Sequence, residues 1–347
     1  MILDSVLGVR VRRTDAESVR KELTKLGLLD KTHAIIDEGT FVVIPVVARP
    51  PENAMTVQGA ELVDRPLPER TSKRDPIDEI RRTAAIPEEL KHLLPSKWEK
   101  FGDVGVIRLE AALDGHEGNI AKAYAEVLQL KTVLRDTGGI SGEFRLPVTK
   151  LLYGDDTETV HTENGIRYRF DAARIMFSSG NMEERLRMSE LECDGDSVVD
   201  MFAGIGYFSI PLAVYQKPKK IIACELNPVA FKYLEENVSM NRVSRVIRPV
   251  LGDNRELQGE SIADRIIMGY VKTTHEHLPA AVRLVKSGGV VHYHETCPNE
   301  LLPDRPVGRL KAAVPGGSVE ILRMKEIKSY APGISHVVVD ARILKPS

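Results

Sequence analysis

At 347 residues, 42% of them hydrophobic, the chain can hold two or three domains with filled cores. A formal net charge of −2 excludes a protein that is basic throughout, although an anionic partner needs only a local patch. No apolar run approaches a bilayer span, and the opening MILDSVLGVRVRR carries Asp4 and lacks the order of a signal peptide, so a cytoplasmic protein with no membrane partner is expected.

Residues 6–11 read as a strand and 15–26 as a helix, capped by Thr14 or Asp15 and stopped at Gly27. Residues 34–36 and 40–46 read as two more strands, so 1–50 form a small α/β module. Its polar face, with Arg10, Arg12, Arg13, Arg20, Lys21 and Lys25, suits phosphates as well as it suits plain solvation. Prolines at 50, 51, 66, 68 and 76 make 51–76 a linker without regular elements. A second α+β module follows over 77–170, with helices at 80–94 and 117–128 and a strand at 104–109. Short strands at 133–134, 144–146 and 150–153 surround the cluster from Gly138 to Gly142. That cluster lacks the Gly-Lys-Ser/Thr ending of a phosphate-binding loop and reads as a flexible loop. Residues 160–170 form a hairpin turning at Asn164-Gly165.

The third segment, 171–347, carries the chemistry. SSGNMEERLRM opens a helix with Ser179 or Asn181 as its cap, and 197–199 then form a buried strand with Asp200 at its carboxyl end. Gly204 and Gly206 let the following turn lie against a ligand. The next strand, 220–224, ends in Glu225, nineteen positions after Gly206, where an acid binds both ribose hydroxyls. A nicotinamide fingerprint would place a third glycine where Phe208 and Ser209 stand, so the pattern fits S-adenosylmethionine rather than a pyrophosphate. A helix at 228–241, strands at 247–250 and 263–268, a helix at 275–285 and strands at 288–294 and 336–341 complete a doubly wound order. Asp253-Asn254, at the end of the third of these strands, suit the adenine amino group. No metal is expected: His275 and His277 open a helix at a spacing that does not converge, and nothing completes a tetrahedral set with His292 and His294. Cys193, Cys224 and Cys297 lack a CxxC pair and indicate neither disulfides nor a zinc ribbon.

The segments MFSSGNMEERLRM, VVDMFAGIGYFSIPLAV, ACELNPVAFKYLEENVSMN, DRIIMGYVKTTHEHLPAA and KSYAPGISHVVVDARI resemble the archaeal tRNA-wybutosine-synthesizing protein 2 family from about residue 132 to the end. The resemblance implies a class I methyltransferase-like, Rossmann-like α/β sheet preceded by smaller α/β modules. It also implies transfer of the 3-amino-3-carboxypropyl group of S-adenosylmethionine to a tricyclic guanosine derivative beside the anticodon of phenylalanine tRNA. The co-substrate would be held by Ser178, Arg185, Asp200, Phe202, Gly204, Gly206, Glu225, Asn227, Asp253 and Asn254, with Ser178 and Arg185 at the methionine carboxylate. Asp264 and His275 are the candidate general bases. Related tRNA guanine N1-methyltransferases carry an arginine where this chain has Gly180, and Asn-Leu-Pro where it has Gly269-Tyr270-Val271. Methyl transfer to tRNA guanine 37 is therefore the alternative activity, and a non-catalytic tRNA-binding protein is a more distant one.

Overall fold

A computed structural model describes residues 5–13, 15–51, 60–69, 75–142 and 144–346. The chain divides into two compact units, Met1–Pro76 and Ile77–Ser347. In the first unit, β1 (Val6–Arg12), β2 (Ile36–Asp37), β3 (Phe41–Pro45) and β4 (Glu61–Arg65) form an antiparallel sheet in the order β2-β3-β1-β4. Helix α1 (Ala16–Lys25) lays Val19 and Leu23 on the inward residues Val9, Val11, Val42 and Ile44. Strand β4 lies inside the stretch expected to be linker. Its Leu62 packs on this core while Pro66 and Pro68 stay outside the ladder, so the prolines bound a strand rather than prevent one. Asp15 occupies the N-cap of α1 without a side-chain hydrogen bond, and Thr14 lies outside the described residues.

The second unit opens with α2 (Pro76–Thr83) and a 3-10 turn at Glu88–Leu93, where one helix over 80–94 was expected. Pro87 disfavours helical geometry at Ile86 and separates the two. Strands β5 (Glu99–Phe101), β6 (Val104–Ile107), β7 (Thr132–Ser141) and β8 (Leu146–Tyr153) pair in sequence order, and α3 (Glu117–Leu128) buries Ile120 and Tyr124. The glycine cluster is not a loop but largely a bulged continuation of β7. The Asp136 carboxylate accepts from the Gly138 and Gly139 amides at the register shift. The hairpin of β9 (Glu158–Glu163) and β10 (Ile166–Asp171) turns as expected, with Asn164 at φ 49° and Gly165 at φ 77°.

Helix α4 (Met182–Glu190) leads into the principal sheet, built from β11 (Ser197–Asp200), β12 (Lys220–Glu225), β13 (Ile247–Leu251), β14 (Ala263–Met268), β15 (Val285–Pro298), β16 (Ser318–Ala331) and β17 (Ile334–Leu344). Their order is β13-β12-β11-β14-β15-β17-β16; the first five are parallel and β17 runs antiparallel to both its neighbours. Helices α5 (Ser209–Tyr215), α6 (Pro228–Met240), α7 (Leu278–Leu284) and α8 (Asp304–Ala312) complete this layer. Its central strands β11, β14 and β17 are largely buried while the edge strand β16 is not, and the strand order reverses between β11 and β14, where a ligand crevice forms. Among the described residues, no helix is long and apolar enough to cross a membrane.

Asn237 on α6 ties this layer to the hairpin. Its amide oxygen accepts from Arg169 N at 2.7 Å, and its Nδ2 donates to Arg169 O and Ile205 O, both at 3.1 Å. Replacing fully buried Asn237 with alanine leaves three backbone groups without this partner and should lower unfolding free energy by about 1–3 kcal/mol. Urea denaturation checks this, and a loss below about 0.5 kcal/mol would mean that water takes over these bonds.

Candidate active site

A cavity of about 220 Å³ opens where β11, β12, β13 and β14 end. The loop after β11 holds Gly204 and Gly206 at φ 57° and 101°, in the region that favours glycine. A Cβ at Gly206 would also sit 2.3 Å from Ile210, so this glycine lies beneath the cavity and shapes its floor rather than lining it. Glu225 closes the loop onto β12: its Oε2 accepts from Gly204 N at 2.7 Å and its Oε1 from Asn227 N at 2.8 Å. Burial raises its pKa and the two amides oppose that rise. Each oxygen retains a lone pair for a ribose hydroxyl. Asn227 itself caps α6 through Val229 N.

Asp200 lies beneath the loop, fully buried, with Oδ1 accepting from Phe202 N at 3.2 Å. Burial pushes its carboxyl up to about 7, against the pull of the Phe202 amide. It supports the glycine turn and does not border the cavity. Phe202 does, stacked on Tyr270 at 5.2 Å and 17° with His277 edge-on at 4.9 Å, an apolar face for a flat ring. Asn254 braces this wall: its Nδ2 donates to Met201 O, and its Oδ1 meets His277 Nδ1, each at 2.7 Å. Its side chain is therefore engaged within the protein, and Asp253 binds the Arg255 guanidinium and backbone amide, though both border the cavity.

The carboxylate end differs from expectation. Arg185 is held bidentately by buried Glu163 at 2.6 and 2.7 Å and donates to Ser178 O at 2.8 Å, so its charge is neutralised in place. Arg185 borders the cavity with Ser178 as expected, and a second cation, Lys328, reaches it there with Nζ donating to Ser178 Oγ at 2.9 Å. Burial, then the charges of Arg145 and Arg185, lower the Lys328 pKa. A Cβ at Gly180 would stand 3.1 Å from Lys328 Nζ, so the glycine gives this lysine its place. Gly269 is equally constrained, since a Cβ there would meet Phe208 at 2.4 Å.

Neither candidate base reaches the cavity. Asp264 begins β14, at the opposite end of the sheet, where it accepts from Ser197 N and pairs with Lys286. His275 lies in the 3-10 turn Thr274–His277, and it is His277 that borders the cavity. Lys328, His336 and Arg145 also line it and had no role in the sequence reading, although KSYAPGISHVVVDARI contains the first two. Among the described residues, no group of three or more His, Cys, Asp or Glu is placed to hold a metal ion.

The parallel sheet with an inserted antiparallel strand, the glycine turn and the acid ending β12 define a class I S-adenosylmethionine-dependent transferase. Residues 159–322 match the TRM5/TYW2 methyltransferase domain, 79–157 the TYW2 N-terminal domain and 8–54 the tRNA methyltransferase 5 N-terminal domain. The chain is 49% identical to a tRNA(Phe) (4-demethylwyosine(37)-C(7)) aminocarboxypropyltransferase of Pyrococcus horikoshii, over 75% of this chain and 94% of that one. It is 37% identical to a tRNA (guanine(37)-N(1))-methyltransferase, Trm5b, of Pyrococcus abyssi, over 97% of this chain and 99% of that one. The crystal structure of P. horikoshii TYW2 in complex with MeSAdo superposes with a TM-score of 0.71 at 46% identity, over 78% of this chain and 99% of that one. The chain belongs to the TRM5/TYW2 family, on the side of the tRNA wybutosine-synthesizing protein 2 enzymes.

Glu225→Ala should weaken S-adenosylmethionine binding at least tenfold, because each charge-assisted bond to a ribose hydroxyl contributes about 1.5–3 kcal/mol. Calorimetry showing near wild-type affinity would remove this acid from the ribose site. Asp200 yields a prediction about pH. Its folded pKa exceeds the ordinary 3.8, so its contribution to stability is fully present below that value and lost as pH rises through about 7. Asp200→Asn should flatten the decline in thermal stability between pH about 4 and 8, and an unchanged slope would contradict the burial argument.

Proposed function

We propose that the protein transfers the 3-amino-3-carboxypropyl group of S-adenosylmethionine to C7 of 4-demethylwyosine at position 37 in the anticodon loop of phenylalanine tRNA, releasing methylthioadenosine. The residues fit the co-substrate: Glu225 for the ribose, the Phe202 and Tyr270 face beside Asp253 for the adenine, and Ser178 with Lys328 for the amino-acid end. The sulfonium supplies three electrophilic carbons, and the site selects among them by position.

The observation that carries the reading is the pairing of Gly180 with Lys328. Lys328 and Arg145 have no carboxylate within ion-pairing distance among the described residues, so this wall favours an anion. Drawing the α-carboxylate there holds the arm that is to be transferred, whereas methyl transfer leaves that arm on sulfur. The higher identity to the aminocarboxypropyltransferase points the same way.

Methyl transfer to guanine 37 is the second reading, favoured by one observation. The methyltransferase relative aligns over 97% of the chain, and the first unit matches a methyltransferase N-terminal domain. The described residues that line the cavity belong to the second unit, so the ancestry of the first does not bear on which carbon is transferred. Chromatography after incubation with tRNA bearing the tricyclic base should give methylthioadenosine in proportion to modified tRNA. Stoichiometric S-adenosylhomocysteine would make the protein a methyltransferase.

A further inference from the structure

The residue placed to cap α4 does not cap it. Asn181 occupies the N-cap at φ −103° and ψ 13°, yet its side chain makes no hydrogen bond to the first turn. Asn227, at the same place on α6, accepts from Val229 N at 2.9 Å, as asparagine ordinarily does there. The Oδ1 of Asn181 is instead buried without a hydrogen-bond partner among the described residues, and Asn181 borders the cavity. Buried polar atoms are nearly always paired, so an acceptor left open beside a ligand cavity marks a place for a donor on the ligand.

The surroundings identify the donor. Asn181 N donates to Ser178 O at 3.2 Å, which sets Asn181 in one turn with Ser178 and Lys328, at the amino-acid end of the cavity. The other acceptors of this turn are engaged: Ser178 O also receives Arg185 Nη1 at 2.8 Å, and Ser178 Oγ receives Lys328 Nζ. Of the carboxylates, Glu163 is held by Arg185, Glu225 receives two backbone amides and Asp253 binds Arg255. Arg145 supplies a second open atom, its buried Nε, which can only donate. Among the described residues, these are the two buried, unpartnered side-chain atoms whose residues border the cavity, one an acceptor and the other a donor. A zwitterion matches both.

We propose that Asn181 Oδ1 accepts the α-ammonium of S-adenosylmethionine while Lys328 and Arg145 take the α-carboxylate, so that the pocket reads the configuration at Cα. The chain to sulfur is the third point of attachment, and an inverted Cα cannot present both charged groups to their partners. An uncharged acceptor suits the ammonium here because its own carboxylate, and not the protein, balances the two cations. Held at Cα on one side and at the nucleoside on the other, the arm leaves Cγ little freedom, which serves its transfer.

The inference rests on the aminocarboxypropyl reading of the site, but binding tests the anchor and product identity tests that reading. Calorimetry should find S-adenosylmethionine bound at least tenfold more weakly by Asn181→Leu, with the affinity for methylthioadenosine, which lacks the arm, within twofold of wild type. A smaller loss, as when water satisfies Oδ1, overturns the proposal. Asn181→Asp should bind S-adenosylmethionine within threefold of wild type or more tightly, because a carboxylate attracts an ammonium and repels a carboxylate. A greater loss would show that Nδ2 holds the α-carboxylate, and overturns it too. Should Asn181→Leu also lose methylthioadenosine, Asn181→Ala and the analogue with hydrogen in place of the α-amino group take its place. Wild type should prefer S-adenosylmethionine to this analogue at least tenfold and Asn181→Ala less than threefold; an undiminished preference overturns the proposal. Stoichiometric S-adenosylhomocysteine would refute the function, and the affinities would still decide the anchor.

Discussion

The site depends on one carboxylate. Glu225 receives two backbone amides from two different turns, that of Gly204 after β11 and that of Asn227 before α6. Both oxygens therefore have a fixed orientation before any ligand arrives, and the side chain that meets the ribose also sets the loop over which the nucleoside lies. A surface carboxylate would first have to give up its hydration and its rotamer freedom. Here folding has already met those costs.

Behind the loop, packing rather than charge fixes position. Phe177 contacts the rings of Phe101, His161, Tyr168, Phe170 and Tyr207, joining β5, the β9–β10 hairpin and the glycine turn in one cluster. Arg185 lies over Phe177 at 4.7 Å, with Glu163 on the same hairpin as its partner. Burying this pair is costly, and removing either member would leave the other charge stranded, so the pair holds Ser178 in register rather than adding net stability.

Much of this was legible in the residues. Asn164-Gly165 can hardly be anything but a tight hairpin turn, and β-branched runs ending in Asp200 and Glu225 describe parallel strands with their functional ends marked. Asp264 was misread because an acid flanking an apolar run does not reveal which end of the sheet it occupies. It stands at the start of its strand, whereas Asp200 and Glu225 end theirs. Lys328 and His336 were invisible for the opposite reason. They are cross-strand partners on β16 and β17, and β17 runs backwards, so its beginning lies at the cavity end of the sheet. No local pattern encodes that reversal. The glycine cluster misled because Asp136 satisfies the bulge from outside the run of glycines.

The insertion of β17 between β15 and β16 also orders events during synthesis. Strand β16 is made first but, among the described residues, pairs only with β17, so it stays unpaired until the strand that will separate it from β15 has been translated. The β16–β17 pairing is a local hairpin across Pro332-Gly333, but the β15–β17 pairing joins segments tens of residues apart, the kind of contact that forms late. His336 arrives on that last strand. The nucleoside half of the pocket, built on β11 to β14, can thus form before β17 exists, but the far wall is built only when β17 slides between its neighbours.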